Sequence, residues 1–271
     1  MKVFEEKKKE RGLTLVELMV VLAMFGMILS AMYNMFNFQQ KSYSVQDNVA
    51  VMQQNVRVGL DYMVKGIRMA GYIPDGIPPN KSSPSNDSLP GSPFTADGVS
   101  ESIEEATASA ITFQADIDGD DITETVRYTL DAGNNTLTRE VWQWNTGTTS
   151  WDASTGPEIV AEDIENIVFT YALLASTQGL ANGIDDDGDG SIDEQGELIF
   201  WDINNGVDDD GDGNVDEDGA LNTNTLRGYI RQVGATITAR SANTDTNYVH
   251  PVQGDHYRRR ILTSNIGLRN M

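Results

Sequence analysis

The chain has 271 residues, 39% of them hydrophobic, and a formal charge of -22 from 41 acidic and 19 basic side chains. So acidic a chain has no basic field to offset phosphate, which argues against nucleic acid as a partner. With no cysteine, neither a disulfide scaffold nor a thiolate metal centre is available.

The polar leader, MKVFEEKKKER, holds four Lys and one Arg against three Glu. Gly12 to Tyr33 follows, nearly all apolar, with Glu17 its single charge. About 20 apolar residues cross a bilayer core as a helix, so a transmembrane segment is predicted over about 13–35. The leader's lysines favour a cytoplasmic amino end, a bias its glutamates weaken, and place the remaining chain outside. A carboxylate in hydrocarbon is expensive without a partner, so Glu17 requires a neutralising group at its own depth. A secretory signal peptide cut after Leu29-Ser30-Ala31, or a plain membrane anchor, leaves that glutamate unexplained.

The run Gly12-Leu13-Thr14-Leu15-Val16-Glu17 resembles the processing site of type IV prepilins and type II secretion pseudopilins. The resemblance implies that prepilin peptidase cuts between Gly12 and Leu13 and methylates the new amino terminus. It also implies that Glu17 pairs with the positive amine of a neighbouring subunit. Leu13 departs from the Phe usual at the first mature position.

Beyond the apolar segment, Val45, Val49, Met52, Val56, Leu60, Met63, Ile67 and Ala70 recur at steps of three or four and draw one helical stripe. One helix is therefore predicted over 13–70, roughly 85 Å long, ending near Gly71 and before Pro74. Its first half should face lipid and other subunits, its second half its own domain. Arg68-Met69-Ala70-Gly71-Tyr72 resembles a segment of PilW-type minor pilins, many of which place a cysteine soon afterwards where this chain has none. Residues 73–104, with Pro at 74, 78, 79, 84, 90 and 93, read as a long irregular loop, with subunit contact one role for it.

Strands are predicted at Ala110–Gln114, Ile122–Leu130, Thr136–Trp144, Ile164–Leu174, Leu198–Trp201, Leu226–Ala239 and Tyr257–Leu268. Asp131-Ala132-Gly133-Asn134-Asn135 is the expected hairpin connection. The fold class is α+β and type IV pilin-like, a long helix packed on a mostly antiparallel sheet. Three parts follow, a leader over 1–12, the helix over 13–70, and a β-rich extracytoplasmic domain over 71–271 with acidic loops at 182–219. The closing segment also resembles the PilW type in Arg227, Tyr229-Ile230-Arg231, Ile237-Thr238-Ala239-Arg240, Tyr257 with Arg258, Arg259 and Arg260, and Leu268-Arg269-Asn270. These arginines serve as edge residues or ion pairs to acidic loops, or else dock onto a neighbouring subunit.

A near-repeat occupies the acidic interval. Asn182 to Glu194 carries Asp185, Asp187, Asp189, Ser191, Asp193 and Glu194, and Asn205 to Glu217 carries Asp208, Asp210, Asp212, Asn214, Asp216 and Glu217. Carboxylates at alternate positions beside glycine let several hard oxygens converge, the ligand set Ca2+ takes. No Lys or Arg lies between Arg139 and Arg227, so these aspartates repel one another unless cation-bound or solvated. The pattern resembles calcium loops of the EF-hand, dockerin and thrombospondin type 3 kinds, which implies one or two Ca2+ ions. Gly196 and Gly219 stand where an EF-hand has its bidentate Glu; Glu194, Glu197 and Glu217 are possible substitutes. Asp116-Ile117-Asp118-Gly119-Asp120-Asp121 is shorter, and a tight hairpin accounts for it as well as a cation site does.

No catalytic constellation emerges. His250 and His256 lack triad or metal spacing, and no phosphate-binding glycine loop precedes a helix. Trp142, Trp144, Trp151 and Trp201 read as core or sheet-face residues. The expected function is therefore a PilW-like minor pilin, made as a single-pass inner-membrane precursor and passing to the pilus or cell surface. Its partners would be prepilin peptidase, major and other minor pilins and the inner-membrane assembly machinery. A J-type pseudopilin of type II secretion and a pilin-anchored calcium-dependent adhesin are the alternatives.

Overall fold

The computed structural model describes residues 14–72, 102–145, 147–148, 150–174, 198–201 and 230–269. A helix, α1 (Leu15–Arg68), passes through two compact units that divide between Asn48 and Val49.

In the first unit, α1 is apolar nearly all round. Leu18, Val21, Leu22, Phe25, Ile28 and Met32 are all exposed, and an 18-residue window reaches a mean hydropathy of 2.3 with none of it buried. By length and composition this helix can cross a membrane.

In the second unit, α1 buries one face, consisting of Met52, Val56, Gly59, Leu60, Met63 and Ile67. The predicted stripe is thus the packed stripe. Full burial of Val56, Met63 and Ile67 contributes about 1.5–3 kcal/mol each. The last turn tightens through Met69 N–H to Gly66 O and Ala70 N–H to Ile67 O. Gly71, at φ 79°, then takes the left-handed conformation that ends helices at little cost for glycine. Its N–H donates to Gln114 O at 2.9 Å, which ties the helix exit to the sheet.

Ten strands follow among the described residues, β1 (Ile103–Ala106), β2 (Ala110–Ala115), β3 (Glu124–Asp131), β4 (Thr136–Asn145), β5 (Ser150–Trp151), β6 (Glu158–Ala161), β7 (Ile164–Leu174), β8 (Leu198–Trp201), β9 (Ile230–Arg240) and β10 (Arg259–Gly267). One sheet runs β1-β2-β3-β4, with β5 and β6 both paired to β4; the other runs β10-β9-β7-β8. All pairs are antiparallel. The β3–β4 register closes at Asp131 opposite Thr136, so the expected Asp131–Asn135 connection is the hairpin turn. Asp131 Oδ1 accepts the Gly133 and Asn134 N–H groups, and Asn135 takes φ 53°, the left-handed conformation Asn tolerates.

Among the described residues, one buried cluster joins the second half of the helix to both sheets. Met63 and Ile67 belong to the same buried cluster as Phe113 and Tyr128 of the first sheet and Phe169, Tyr171 and Ile237 of the second. Period-two burial puts Val233, Ala235, Ile237 and Ala239 inward along β9, as a half-solvated strand requires. Trp142 and Trp151 are buried in a satellite cluster with Trp144. Trp144 meets Trp151 edge-on, with centroids 5.2 Å apart. This is the sheet-face role expected of these tryptophans; the Trp201 side chain lies outside the described residues.

All seven expected strands occur within a few residues of their expected limits, and β7 and β8 match at both ends. The structure adds β1, β5 and β6. The irregular stretch expected to reach residue 104 is corrected at its end, where Ile103 and Glu105 already pair with Phe113 and Thr112. The rest of that stretch up to residue 101 lies outside the described residues.

Candidate functional site

At the start of α1, Glu17 Oε2 accepts the Thr14 N–H at 2.9 Å and the Thr14 hydroxyl at 3.0 Å. The Glu17 N–H donates to Thr14 Oγ1 at 3.3 Å. This is a reciprocal capping box, in which a Thr and a Glu three residues later satisfy main-chain donors that a helix start leaves open. The sequence signal is Thr14-x-x-Glu17, in which the capping carboxylate is also the single charge of the apolar segment. Gly12 and Leu13 lie outside the described residues.

The second feature is the β2–β3 connection. Asp116, Asp118 and Asp120 each offer a carboxylate oxygen, and these oxygens lie within 4.8 Å of one another. Asp116 is buried, while Asp118 and Asp120 are exposed. The loop curls because its own carboxylates bind its main chain. Asp116 Oδ1 accepts the Gly119 N–H at 2.6 Å and Oδ2 the Asp121 N–H at 3.2 Å, while Asp118 Oδ1 accepts the Asp120 N–H. Asp120 bonds the Ile122 N–H and the Gln143 side chain. Three carboxylates held this closely can chelate a divalent cation. The stretch that sequence left open between hairpin and cation site is thus a hairpin connection with a converged acidic cluster. The ligands expected at Asp185, Asp187, Asp189, Ser191, Asp193 and Glu194, and at Asp208, Asp210, Asp212, Asn214, Asp216 and Glu217, lie outside the described residues.

Glu124 opens β3 and is 3% exposed. Its Oε2 accepts the Ile117 N–H at 3.0 Å, which holds the carboxylate against the loop, while its buried Oε1 finds no hydrogen-bond partner among the described residues. Burial pushes the carboxyl up to about 7; the Ile117 N–H works against the rise, and the charges of Asp118, Asp120 and Asp116 add to it. In the sequence Glu124 falls inside the expected strand Ile122–Leu130 and reads as ordinary strand. Its signal was spacing. With Asp116 as the first position of a calcium-type loop, Asp118 and Asp120 fall at the third and fifth and Glu124 at the ninth.

The closing arginines bind acidic residues of their own domain. Arg258 pairs with Asp245 at 2.8 Å and lies over the Tyr248 ring. Arg259 pairs with Asp255 at 2.6 Å and bonds Glu165 at 2.7 Å, and Arg240 stacks on Tyr257. The ion-pair role expected of them is present at Arg258 and Arg259, with Asp245 and Asp255 in the β9–β10 connection and Glu165 on β7. Arg227 lies outside the described residues.

The histidines shape the loop that carries them. His250 Nδ1 accepts the Val252 and Gln253 N–H groups, and the His256 ring bonds Tyr248 O. A groove of about 850 Å³ lies between the end of α1 and β3, and its described lining includes Tyr62, Lys65, Arg68, Arg139 and Arg269 but neither carboxylate nor histidine. The long helix and the antiparallel sheets together make a pilin-like α+β fold.

Residues 7–33 match the family model described as the prokaryotic N-terminal methylation motif. No curated protein matches the chain. The chain thus carries a prepilin-type methylation motif on an apolar amino-terminal helix, typical of type IV pilin-family proteins, and joins it to a pilin-like α+β domain.

Proposed function

We propose that the chain is a PilW-like minor pilin that primes a type IV pilus or is built into it. The observation that carries this is the methylation motif over residues 7–33 leading into an apolar helix whose second half packs on antiparallel sheets. Prepilin peptidase would act at Gly12 and Leu13, and the inner-membrane machinery would insert the mature chain among major and other minor pilins. Glu17 supports the same reading, since a carboxylate at that depth needs a positive partner and the mature amino terminus of a neighbour supplies one. The precursor would sit in the inner membrane, and the mature domain outside it.

Calcium would stiffen this domain. The support is the aspartate pattern at 182–219 and the converged carboxylates of Asp116, Asp118 and Asp120. A J-type pseudopilin would share the motif and the α+β layout, so the discriminating experiment is genetic. Deletion of the gene, scored in one strain for surface pili and secreted protein, should remove pili and leave secretion normal.

A further inference from the structure

We propose that the groove between the end of α1 and β3 is a docking site for a short acidic segment of a partner protein. Lys65, Arg68, Arg139 and Arg269 line it, and no carboxylate stands among its described lining residues. That is a local reversal in a chain with 41 acidic and 19 basic side chains. The cations come from separate parts of the fold, Lys65 and Arg68 from the last turn of α1, Arg139 from β4 and Arg269 from the chain beyond β10. Interaction with the helix dipole accounts for the first two but not for Arg139 and Arg269. Nor do acids of the same chain neutralise the set. Among the described residues Lys65, Arg68 and Arg269 form no ion pair, and the acid beside Arg139 is Glu158, at 3.7 Å and with its side chain 66% exposed.

The walls select among anions. Arg139 is fixed by its bond to the Tyr62 hydroxyl at 3.0 Å and by lying over that ring. Gly66 lets α1 come close to β3, since a Cβ there would stand 2.6 Å from the Tyr128 hydroxyl oxygen. Lys65 and Arg68 are thereby held in a set relation to Arg139, and a preorganised seat loses less on binding. Tyr62 and Tyr72 are 40% and 45% exposed and, with Met69, give the groove an aromatic and apolar surface. Its volume of about 850 Å³ lies within the roughly 300–1,000 Å³ of ligand sites and exceeds what a lone inorganic anion fills. Guanidinium groups take carboxylates through paired, charge-assisted hydrogen bonds. A long polyanion such as nucleic acid would meet the repulsion of a chain whose formal charge is -22. The chemistry that fits is two or more carboxylates on a short peptide, with an apolar residue between them against the tyrosines.

The test uses the full chain in detergent and a fluorescent peptide of four glutamates flanking a leucine, followed by anisotropy. Its glutamine counterpart, inorganic phosphate and an oligothymidylate serve as comparisons. The glutamate peptide should bind and the glutamine peptide should not, and binding should weaken as salt rises from about 0.05 to 0.5 M. The double variant Arg68→Gln/Arg269→Gln removes two exposed cations and should fold normally yet bind about tenfold more weakly or worse. Arg57→Gln/Arg260→Gln removes the same charge from exposed arginines outside the groove and should bind as wild type does. Equal weakening by both pairs would reduce the attraction to a general field effect and overturn the site, as would failure of the wild type to bind the glutamate peptide. Displacement of the peptide by equimolar phosphate, or tighter binding of the oligothymidylate, would overturn the peptide class. Because no groove residue belongs to the methylation motif over residues 7–33, these outcomes are separate from the fate of pili in a deletion strain.

Discussion

Substitution of Gly59 by alanine tests how closely α1 lies on the sheets. A Cβ at Gly59 would stand 3.0 Å from Ala161 Cβ, 3.3 Å from Leu137 Cδ2 and 3.7 Å from Ile237 Cδ1. Carbon atoms rest at about 3.5–4.0 Å, so two contacts are short, and Ala161 has no rotamer that moves its Cβ away. Alanine gains roughly 0.5–1 kcal/mol over glycine in a helix interior, while overpacking a core costs about 1–3 kcal/mol. The clash wins, for a net loss of about 0.5–2 kcal/mol. For a domain of this size that lowers Tm by about 1–8 °C, at roughly 2–4 °C per kcal/mol. The assay is thermal unfolding of the full chain in detergent, followed by near-ultraviolet circular dichroism. Ala161→Gly removes the nearest atom, so the double variant should recover stability relative to the sum of the single ones, by about 1 kcal/mol. A Gly59→Ala protein that melts above wild type would refute the close packing of α1 on β4, β6 and β9.

Three further outcomes follow from the geometry. Glu17→Gln keeps an acceptor for the Thr14 capping box but removes the charge, so it should preserve cleavage after Gly12 yet lose pilus assembly; normal assembly by Glu17→Gln would reassign Glu17 to capping alone. Chelation of calcium should lower the Tm of the full chain, because an ion bound only to the folded state stabilises it, and an unchanged melt would remove the structural calcium claim. The Asp255 carboxyl is held down to about 2, first by its hydrogen bonds from Arg259, and Asp245 is lowered by Arg258. Against an unfolded value of about 3.9, the Asp255 contribution is whole above that pH and is lost as pH falls through about 2. In Arg259→Gln the Asp255 carboxyl should titrate higher by carbon-13 NMR, and titration still near 2 would contradict the assigned cause.

The parts of the fold legible in sequence are those where local pattern and tertiary role coincide. The stripe from Met52 to Ala70 is apolar because it is buried, and β7 alternates because one face is core. Strand β1 was hidden because Ile-Glu-Glu-Ala has no strand pattern of its own; it forms because β2 offers it a partner. The two residues of β5 are fixed by Trp151 packing on Trp144, a contact that local composition does not encode. At the hairpin site the aspartates were legible and Glu124 was not. Its position opening β3 disguises it as strand, and its burial, which pushes its carboxyl up to about 7, shows only in the folded chain. The capping box is legible in Thr14-x-x-Glu17, where the same carboxylate is also a charge in an apolar segment.

The central claim is that the methylation motif and the pilin-like domain serve a pilus. A clean deletion of the gene, complemented by the wild-type chain and scored in one strain for surface pilus number and secreted protein yield, tests it most directly. The account predicts loss of pili with normal secretion, restored on complementation. Normal pili with lost secretion would contradict it and make the chain a pseudopilin.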